Sequence, residues 1–476
     1  MEREVVSKLE SIVGKDYVVS DILDCVAYGG EVVPFDIEDQ NIPIAVVKPK
    51  TSQEISEILK YANEAMVPVA VHGSGTSFLF SSRPKRKGSI VLSTSRLDSV
   101  EFNEDNGYVE VGAGVITYDL EQSLSTQGYM FPINTGSKLV STVGGAFAVN
   151  TIGHMVDACA GKPADHALGL EVVLPTGGII ETGTKSLRRS AGIELTKFFV
   201  GSEALFGVIT KIRMILIRDS CRTFVAGYFE EEEGIGRAVQ KMYKSKLPPP
   251  LYGEMLDFDG AKRGFKLMGL KEPKGAVLLL TIIGDTDEEA VARAQRTIEV
   301  IRNEKTFIEA HIIRTKEEQE KIWHTRDFAT QLLQTGERGV FIGIEVSAPL
   351  SRLAELIYYL KNELDNELNI LKGVPKLGNL LGHVAATALH VGWALPRDWD
   401  NERKKEAFRE AFALEKKINL RFEASCGETG LTAVRIPFFK EKYGDEAYGV
   451  LVKLKRVLDP NDILNPGNLE GEGIWN

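Results

Sequence analysis

The chain has 476 residues, 43% of them hydrophobic, with a formal net charge of -10 and a pI near 5.5. That length supports two or three domains, each with its own core, and the acidic balance excludes nucleic acid as the main partner, because phosphate binding needs a basic face. Four cysteines, Cys25, Cys159, Cys221 and Cys426, lie far apart with no CxxC pair, which excludes a thiolate-held cluster or zinc framework and leaves them as reduced cytosolic thiols.

Met1-Glu2-Arg3-Glu4 leads into a charged amphipathic segment without a signal-peptide core. The longest apolar run, Ala276 to Ile283, is too short to span a bilayer. A cytoplasmic protein without a transmembrane segment is expected, peripheral to a membrane only through a partner.

Thr51 and Glu54 read as a capping pair for a helix with Ile55, Ile58, Leu59 and Ala62 inward, ending near Met66. Pro68 to Val71 then form a buried strand that runs into Gly73-Ser74-Gly75-Thr76-Ser77. Glycines let successive backbone N–H groups turn into one concavity and the short hydroxyls add donors, so this loop suits a diphosphate. It is neither a Walker loop nor a dinucleotide fingerprint, since no Gly-Lys-Ser/Thr follows and position 78 is Phe78. An ordinary turn is an equal reading of the loop alone. Arg83, Lys85, Arg86 and Lys87 crowd one segment that reads as a solvated loop rather than a docking patch for an acidic partner.

Ile90 to Leu92 and Tyr108 to Val115 are further strands, so the N-terminal part is a small α/β unit. From about residue 116 come loops dense in glycine and hydroxyls: Phe131 to Ser137 and Ser141 to Gly145. Pro175-Thr176-Gly177 turns a hairpin, and Phe206 to Ile217 make a strong strand. A second regime begins near Asp219. Thr286 and Glu289 cap a helix to about Arg302 with Val291, Ala294, Ile298 and Ile301 on one face, and Ser351 opens another. Strands at 276–283, 308–313 and 340–348 lie among them, which predicts helices over one face of an antiparallel sheet.

Six ordered segments carry a resemblance: Pro43 to Pro49, Gly73 to Ser77, Gly136 to Asn150, Asp165 to Val173, Phe199 to Thr210, and Leu458 to Gly467. Together they resemble the FAD-linked oxidases and dehydrogenases of the vanillyl-alcohol oxidase type, in the branch of D-lactate dehydrogenases and glycolate oxidase flavoproteins. The resemblance implies an α+β protein. A PCMH-type FAD-binding domain of two subdomains would span residues 1–220, a cap with helices on an antiparallel sheet 221–435, and a C-terminal segment returning to the FAD domain 436–476. The FAD diphosphate would lie along His72, Gly73, Ser74, Gly75, Thr76 and Ser77. Thr135, Gly136, Ser137, Thr142, Gly144 and Gly145 would flank the flavin and ribityl chain, and Ile209 would bring backbone near the flavin ring. Relatives with a covalent flavin carry a histidine where this chain has Thr76, so the FAD is expected to be non-covalent.

For the cap, the resemblance implies a site built on Gly382 to His390 and Cys426 to Gly430. His383, His390 and Glu428 match positions that suit a divalent metal such as zinc, iron or manganese. Thr429 stands where relatives place the histidine that takes the substrate hydroxyl proton, and a threonine hydroxyl stays protonated near neutral pH. Ala386 and Ala388 likewise replace polar residues of the family pattern. Three explanations stay open: a metal that acidifies the hydroxyl, another residue such as His324 or His154 reaching the site, or a cap that has changed task. Arg326 matches the arginine that clamps a substrate carboxylate, a role suited to its fork of donors. Arg435 stands where relatives carry a lysine, and Gly343 where they carry a basic residue.

The implied function is FAD-dependent oxidation of a 2-hydroxy acid such as D-lactate or glycolate. Electron transfer would continue to an iron-sulfur subunit or an electron-transfer flavoprotein. The alternative is a flavoprotein relay or scaffold subunit whose cap has lost that chemistry. A minor third reading, a lipid-like substrate, rests only on the apolar Val384 to Leu389.

Overall fold

The structure is a computed structural model that describes the chain apart from residues 1, 31–36, 78, 134, 154–160, 187–189, 191, 316, 326–339, 377–380, 385–386, 426–429 and 471–476. The chain forms two compact units: residues 1–152, 162–218 and 428–476 make the first, and 153–161 and 219–427 the second.

In the first unit, β1 (Val18–Val19), β2 (Ala45–Val47), β3 (Val69–His72) and β4 (Ile90–Ser93) form a sheet in the order β1-β2-β4-β3. β4 runs parallel to both β2 and β3. Parallel neighbours need a crossover, and the Ser52–Ala65 helix supplies it, burying Ile55, Ile58, Leu59 and Ala62. The Thr51 hydroxyl caps it by accepting from the Glu54 N–H at 3.1 Å. Its Ser56 donates to the Gly177 carbonyl and its Asn63 to that of Pro175. Those two bonds fix the helix to the turn between β8 (Ala167–Val173) and β9 (Ile179–Glu181). These strands belong to an antiparallel sheet with β5 (Val100–Asn103), β6 (Tyr108–Gly112) and β10 (Val208–Ile215), ordered β5-β6-β10-β8-β9. β7 (Tyr129–Met130) pairs with β11 (Ile217–Arg218).

The segment after the Thr432–Leu458 helix completes the first sheet, with the Val69 N–H donating to the Ile463 carbonyl and the Asn465 N–H to the Val69 carbonyl. Lys455 is buried at the end of that helix, its Nζ 2.6 Å from Asp459 Oδ2 and donating to the Leu205 and Leu464 carbonyls. The basic segment corrects the expectation of a solvated loop. Arg83 donates to Asn41, Lys85 to the Phe80 carbonyl and Asn468, and Arg86 meets Asp462 at 2.7 Å and Glu470 at 3.2 Å. Lys85 and Arg86 therefore hold residues 462–470 onto the unit that carries the glycine loop.

The second unit is a seven-stranded antiparallel sheet. Its strands are β12 (Cys221–Phe229), β13 (Tyr252–Leu256), β14 (Ala276–Gly284), β15 (Phe307–Ile313), β16 (Val340–Ser347), β17 (Leu381–Gly382) and β18 (Ala388–Leu395), ordered β15-β12-β14-β13-β17-β18-β16. The helices Glu232–Lys244, Asp287–Ile301, Leu353–Asn362 and Asn401–Arg421 pack with these strands or with one another. In the Asp287–Ile301 helix the buried stripe is Ala290, Ala294, Thr297 and Ile301. Val291 and Ile298, expected inward, lie half-buried at its flank because small residues let the helix sit close to β12 and β14. β16 would leave an open edge. Instead Glu415 and Asn419 of the Asn401–Arg421 helix accept from the backbone N–H groups of Glu345 and Ser347, and Asn419 donates to the Glu345 carbonyl. An edge covered in this way cannot recruit a foreign strand.

Candidate active site

β3 delivers His72 and then the glycine loop. Gly75 has φ +67, a left-handed conformation that an L side chain rarely adopts. A Cβ at Gly73 would lie 2.6 Å from Thr142 Oγ1, and one at Gly75 2.7 Å from His72 Nε2. The loop thus lies against Thr142 on one side and the His72 ring on the other, with only backbone between. Burial lowers the pKa of His72, against a contact of Nδ1 with the Gly73 carbonyl at 3.1 Å, so the ring is neutral at physiological pH.

Thr142 caps the Val143–Ala148 helix through the Gly145 N–H. Gly144 is pressed against Ala113, whose carbonyl a Cβ would approach to 2.7 Å. Thr135, Ser137, Ser141 and Thr117 form a linked set of hydroxyls, with Thr117 Oγ1 and Ser141 Oγ 3.0 Å apart. Gly136 is exposed, and Ile209 is buried beside a register shift in the pairing of β10 with β8. The structure therefore brings His72 to Ser77 together with Thr142, and sets the Thr135 and Ser137 hydroxyls in one network with Ser141.

Sequence reasoning missed Glu203. Its backbone is left-handed, φ 51, with its carbonyl accepting from Asn465 at 2.8 Å. Its carboxylate accepts from the N–H groups of Leu431 and Thr432, the residues that follow the Cys426 to Gly430 motif. Burial pushes the Glu203 carboxyl up to about 7, while those N–H donors and the charges of Lys85 and Arg435 pull it back. Arg435 is buried and donates from Nη1 to the Gly430 carbonyl at 3.1 Å. It braces the motif's end from the same side of the chain. The place of Glu203 inside the Phe199 to Thr210 segment was the available signal, while nothing in one sequence marks its distant partners Leu431 and Thr432.

In the cap, pairing sets which side chains share a face. Leu256 pairs with Leu381, Leu381 with His390, and Glu345 with His390. Because alternate residues point to opposite faces, Tyr252, Glu254, Glu345, His383 and His390 all belong to one face. His383 and His390 meet edge to face, ring centroids 5.6 Å apart and planes at 83°. His383 Nδ1 is 2.8 Å from Glu254 Oε1, with both side chains buried. Glu254 was not foreseen, because a lone glutamate in an apolar strand carries no motif.

On the same face Phe341 lies over the paired glycines Gly343 and Gly392, where Cβ atoms would come within 2.7 and 2.3 Å of its ring. Phe341 thus forms an aromatic lid over the two glycines. Trp323 packs edge to face on Tyr252 at 4.6 Å, and His324 beside it is exposed. Glu428, Thr429, Arg326 and His154 lie outside the described residues. Among the described residues no cluster of three or more His, Cys, Asp or Glu has metal-holding geometry, and no helix is long and apolar enough to cross a membrane.

Residues 43–183 match the FAD binding domain family, and residues 219–469 match the FAD linked oxidases, C-terminal domain. Glycolate oxidase subunit GlcD of Bacillus subtilis is 29% identical over 441 residues, covering 90% of this chain and 89% of that one. A D-lactate dehydrogenase of Archaeoglobus fulgidus is 30% identical over 430 residues, covering 89% and 90%. Among solved structures, p-cresol methylhydroxylase with substrate bound is similar with a TM-score of 0.76 at 18% identity, over 98% of this chain and 96% of that one. Alkyldihydroxyacetonephosphate synthase gives a TM-score of 0.70 at 17% identity, over 98% and 85%. These likenesses show an α+β protein of PCMH-type fold, and the match of more than half of the chain to the C-terminal domain model shows that it belongs to the FAD-linked oxidases, an FAD-dependent oxidoreductase.

Proposed function

We propose that the chain is a dehydrogenase that oxidises a 2-hydroxy acid, of the kind named by its D-lactate dehydrogenase and glycolate oxidase relatives, at a site carried by the His383 face of the cap. The observation that carries this reading is the pair His383 and His390, brought edge to face on that face of the cap with a carboxylate 2.8 Å from His383 Nδ1. The residues present fit FAD: at Gly73 and Gly75 the loop offers backbone where a side chain would collide with Thr142 or His72. His72 to Ser77 would hold the diphosphate, with Thr135, Gly136, Ser137, Thr142, Gly144, Gly145 and Ile209 along the rest of the cofactor. Thr76, in place of a histidine, leaves the flavin without a covalent bond. FAD, when bound, accepts the two electrons of the oxidation.

Two imidazoles lie together on one face of the cap, and with Glu428, which the resemblance assigns as a carboxylate ligand, they would supply donors for a divalent cation such as zinc, iron or manganese. Such a cation would acidify the substrate hydroxyl, which Thr429 cannot deprotonate unaided. Arg326 would grip the substrate carboxylate. Phe341 over Gly343 supports a substrate whose side chain is apolar and longer than that of glycolate. With no cluster ligands in the chain, electrons would leave to an iron-sulfur subunit or an electron-transfer flavoprotein.

Anaerobic mixing of the metal-supplied holoprotein with glycolate, D-lactate and longer 2-hydroxy acids should bleach the flavin absorbance, fastest for an apolar side chain. A flavin left oxidised by all of them overturns the reading. One observation, Thr429 in place of the family histidine, favours a second reading in which the protein only relays electrons. In that case the flavin would be reduced by a partner and by no 2-hydroxy acid.

A further inference from the structure

β3 lies at the edge of its sheet, and the segment after the Thr432–Leu458 helix comes alongside it in parallel, with Leu464 opposite Val69. Backbone makes the first two rungs: the Val69 N–H donates to the Ile463 carbonyl, and the Asn465 N–H donates to the Val69 carbonyl. A parallel ladder would continue from the Val71 N–H to the main-chain carbonyl of Asn465. The chain leaves the strand there, because Asn465 is left-handed with φ 45 and Pro466 follows. The side chain of Asn465 makes the rung instead, its Oδ1 accepting from the Val71 N–H at 2.8 Å. The other end of the same amide is also committed. Nδ2 donates to the Glu203 carbonyl at 2.8 Å, and the Glu203 N–H donates to the Ala148 carbonyl at 2.8 Å. Ala148 ends the Val143–Ala148 helix, whose cap Thr142 is the residue against which Gly73 rests. A circuit closes from Val71 through Asn465, Glu203, this helix and Thr142 back to Gly73. Asn465 is 5% exposed, and since an N–H only donates and a carbonyl only accepts, its amide is seated in one orientation.

We propose that Asn465 is a positioning residue for the FAD site: its amide fixes the distance between β3 and the Val143–Ala148 helix, and with it the seat of the Gly73 to Ser77 loop against Thr142. This role rests on the proposed function, which places the FAD diphosphate along that loop. A loop built on Gly73 and Gly75 has little stiffness of its own, so the two walls between which it runs set its shape. β3 is one wall and the helix capped by Thr142 is the other. Asn465 joins them with a single side chain, from a segment more than three hundred residues downstream of the loop.

The test uses the full-length FAD-loaded protein. Asn465→Gly removes only the amide, because glycine keeps the left-handed backbone at no steric cost. Release of FAD on dilution, followed by the rise of free flavin fluorescence, should be at least about tenfold faster than in wild type, while the far-UV circular dichroism stays that of wild type. Asn465→Asp adds a pH profile that a purely structural role does not move. When protonated, the aspartic acid does both jobs of the amide, accepting from Val71 and donating to the Glu203 carbonyl; when ionised, it sets one acceptor against another. Burial raises the pKa of such a carboxyl, so release from Asn465→Asp should match wild type near pH 5 and approach that of Asn465→Gly by about pH 8. Glu203 with Lys85 and Arg435 around it, and Lys455 with Asp459 beside Leu464, are common to all three proteins, so the step is read as the difference from wild type. Release from Asn465→Gly as slow as wild type, or only in step with loss of the far-UV signal, overturns the proposal, and so does an Asn465→Asp profile without the step. Where a variant does not fold, backbone amide exchange in the wild-type holoprotein decides. Val71 and Asn465 should exchange slowly and alike, since one opening exposes both, and exchange at Asn465 more than about tenfold faster than at Val71 with FAD bound overturns the proposal. If Gly73→Ala leaves FAD release unchanged, the diphosphate lies elsewhere and the proposed FAD site fails, while the exchange at Val71 still decides whether Asn465 holds β3.

Discussion

Glu203 is a carboxylic acid in a place that penalises its charge. Its folded pKa of about 7 lies above the ordinary 4.5, so the folded protein keeps a proton that the unfolded chain releases between those values. Stability from this group is complete below pH 4.5 and is lost as the pH rises through 7, by about 3 kcal/mol in all. Glu203→Gln removes the titration while keeping an acceptor for Leu431 and Thr432. Urea unfolding of the variant between pH 5 and 8 should show a flatter stability profile than wild type; an equal slope would mean that burial of Glu203 is not its cause. His383 and His390 were singled out from sequence because their spacing matches a motif, and the structure brings their rings together. Glu203 was not, because its partner Leu431 is 228 residues away and the bonds go to backbone, which leaves no mark on residue type. Glu254 was hidden for the same reason, its meaning depending on the register of β13 against β17.

At the scale of elements, local signals were read well. Thr51 and Thr286 cap the helices they were expected to cap, because a cap is decided within four residues. The inward stripe of the Asp287–Ile301 helix was displaced by one position, since the choice between Ala290 and Val291 depends on how closely the helix approaches the sheet. The glycine loop makes a sharper prediction. Gly73→Ala places a methyl group 2.6 Å from Thr142 Oγ1 in a contact that must shift one of the two segments. Protein purified with this change should retain less FAD after gel filtration, and titration with added FAD should show at least about tenfold weaker binding, equal to about 1.4 kcal/mol. Unaltered FAD content would place the diphosphate elsewhere. The covered edge of β16 was invisible from sequence, as Glu415 and Asn419 look like ordinary residues of a charged helix.

For the molecule as a whole, the fold class was legible because six motifs occur in family order, and a returning C-terminal segment was expected, while the side chains that clasp it were not. Lys455 holds that clasp, buried among Asp459 and the carbonyls of Leu205 and Leu464. Lys455→Met leaves the buried Asp459 carboxylate with the Ile463 and Leu464 N–H groups but no counter-charge and should lower stability by about 3–5 kcal/mol. The loss is measurable as an earlier urea midpoint for FAD release, and an unshifted midpoint would show that the clasp is ornamental.

The clasp has a consequence for biosynthesis. β3, which leads into the glycine loop, shares backbone hydrogen bonds with Ile463 and Asn465, and the Asn465 side chain accepts from the Val71 N–H. Chains grow from the N-terminus and domains fold as they emerge, yet this strand waits for a neighbour made only after the entire cap. The nascent chain therefore cannot complete the sheet behind the glycine loop until residues 463–465 have emerged, long after the loop itself.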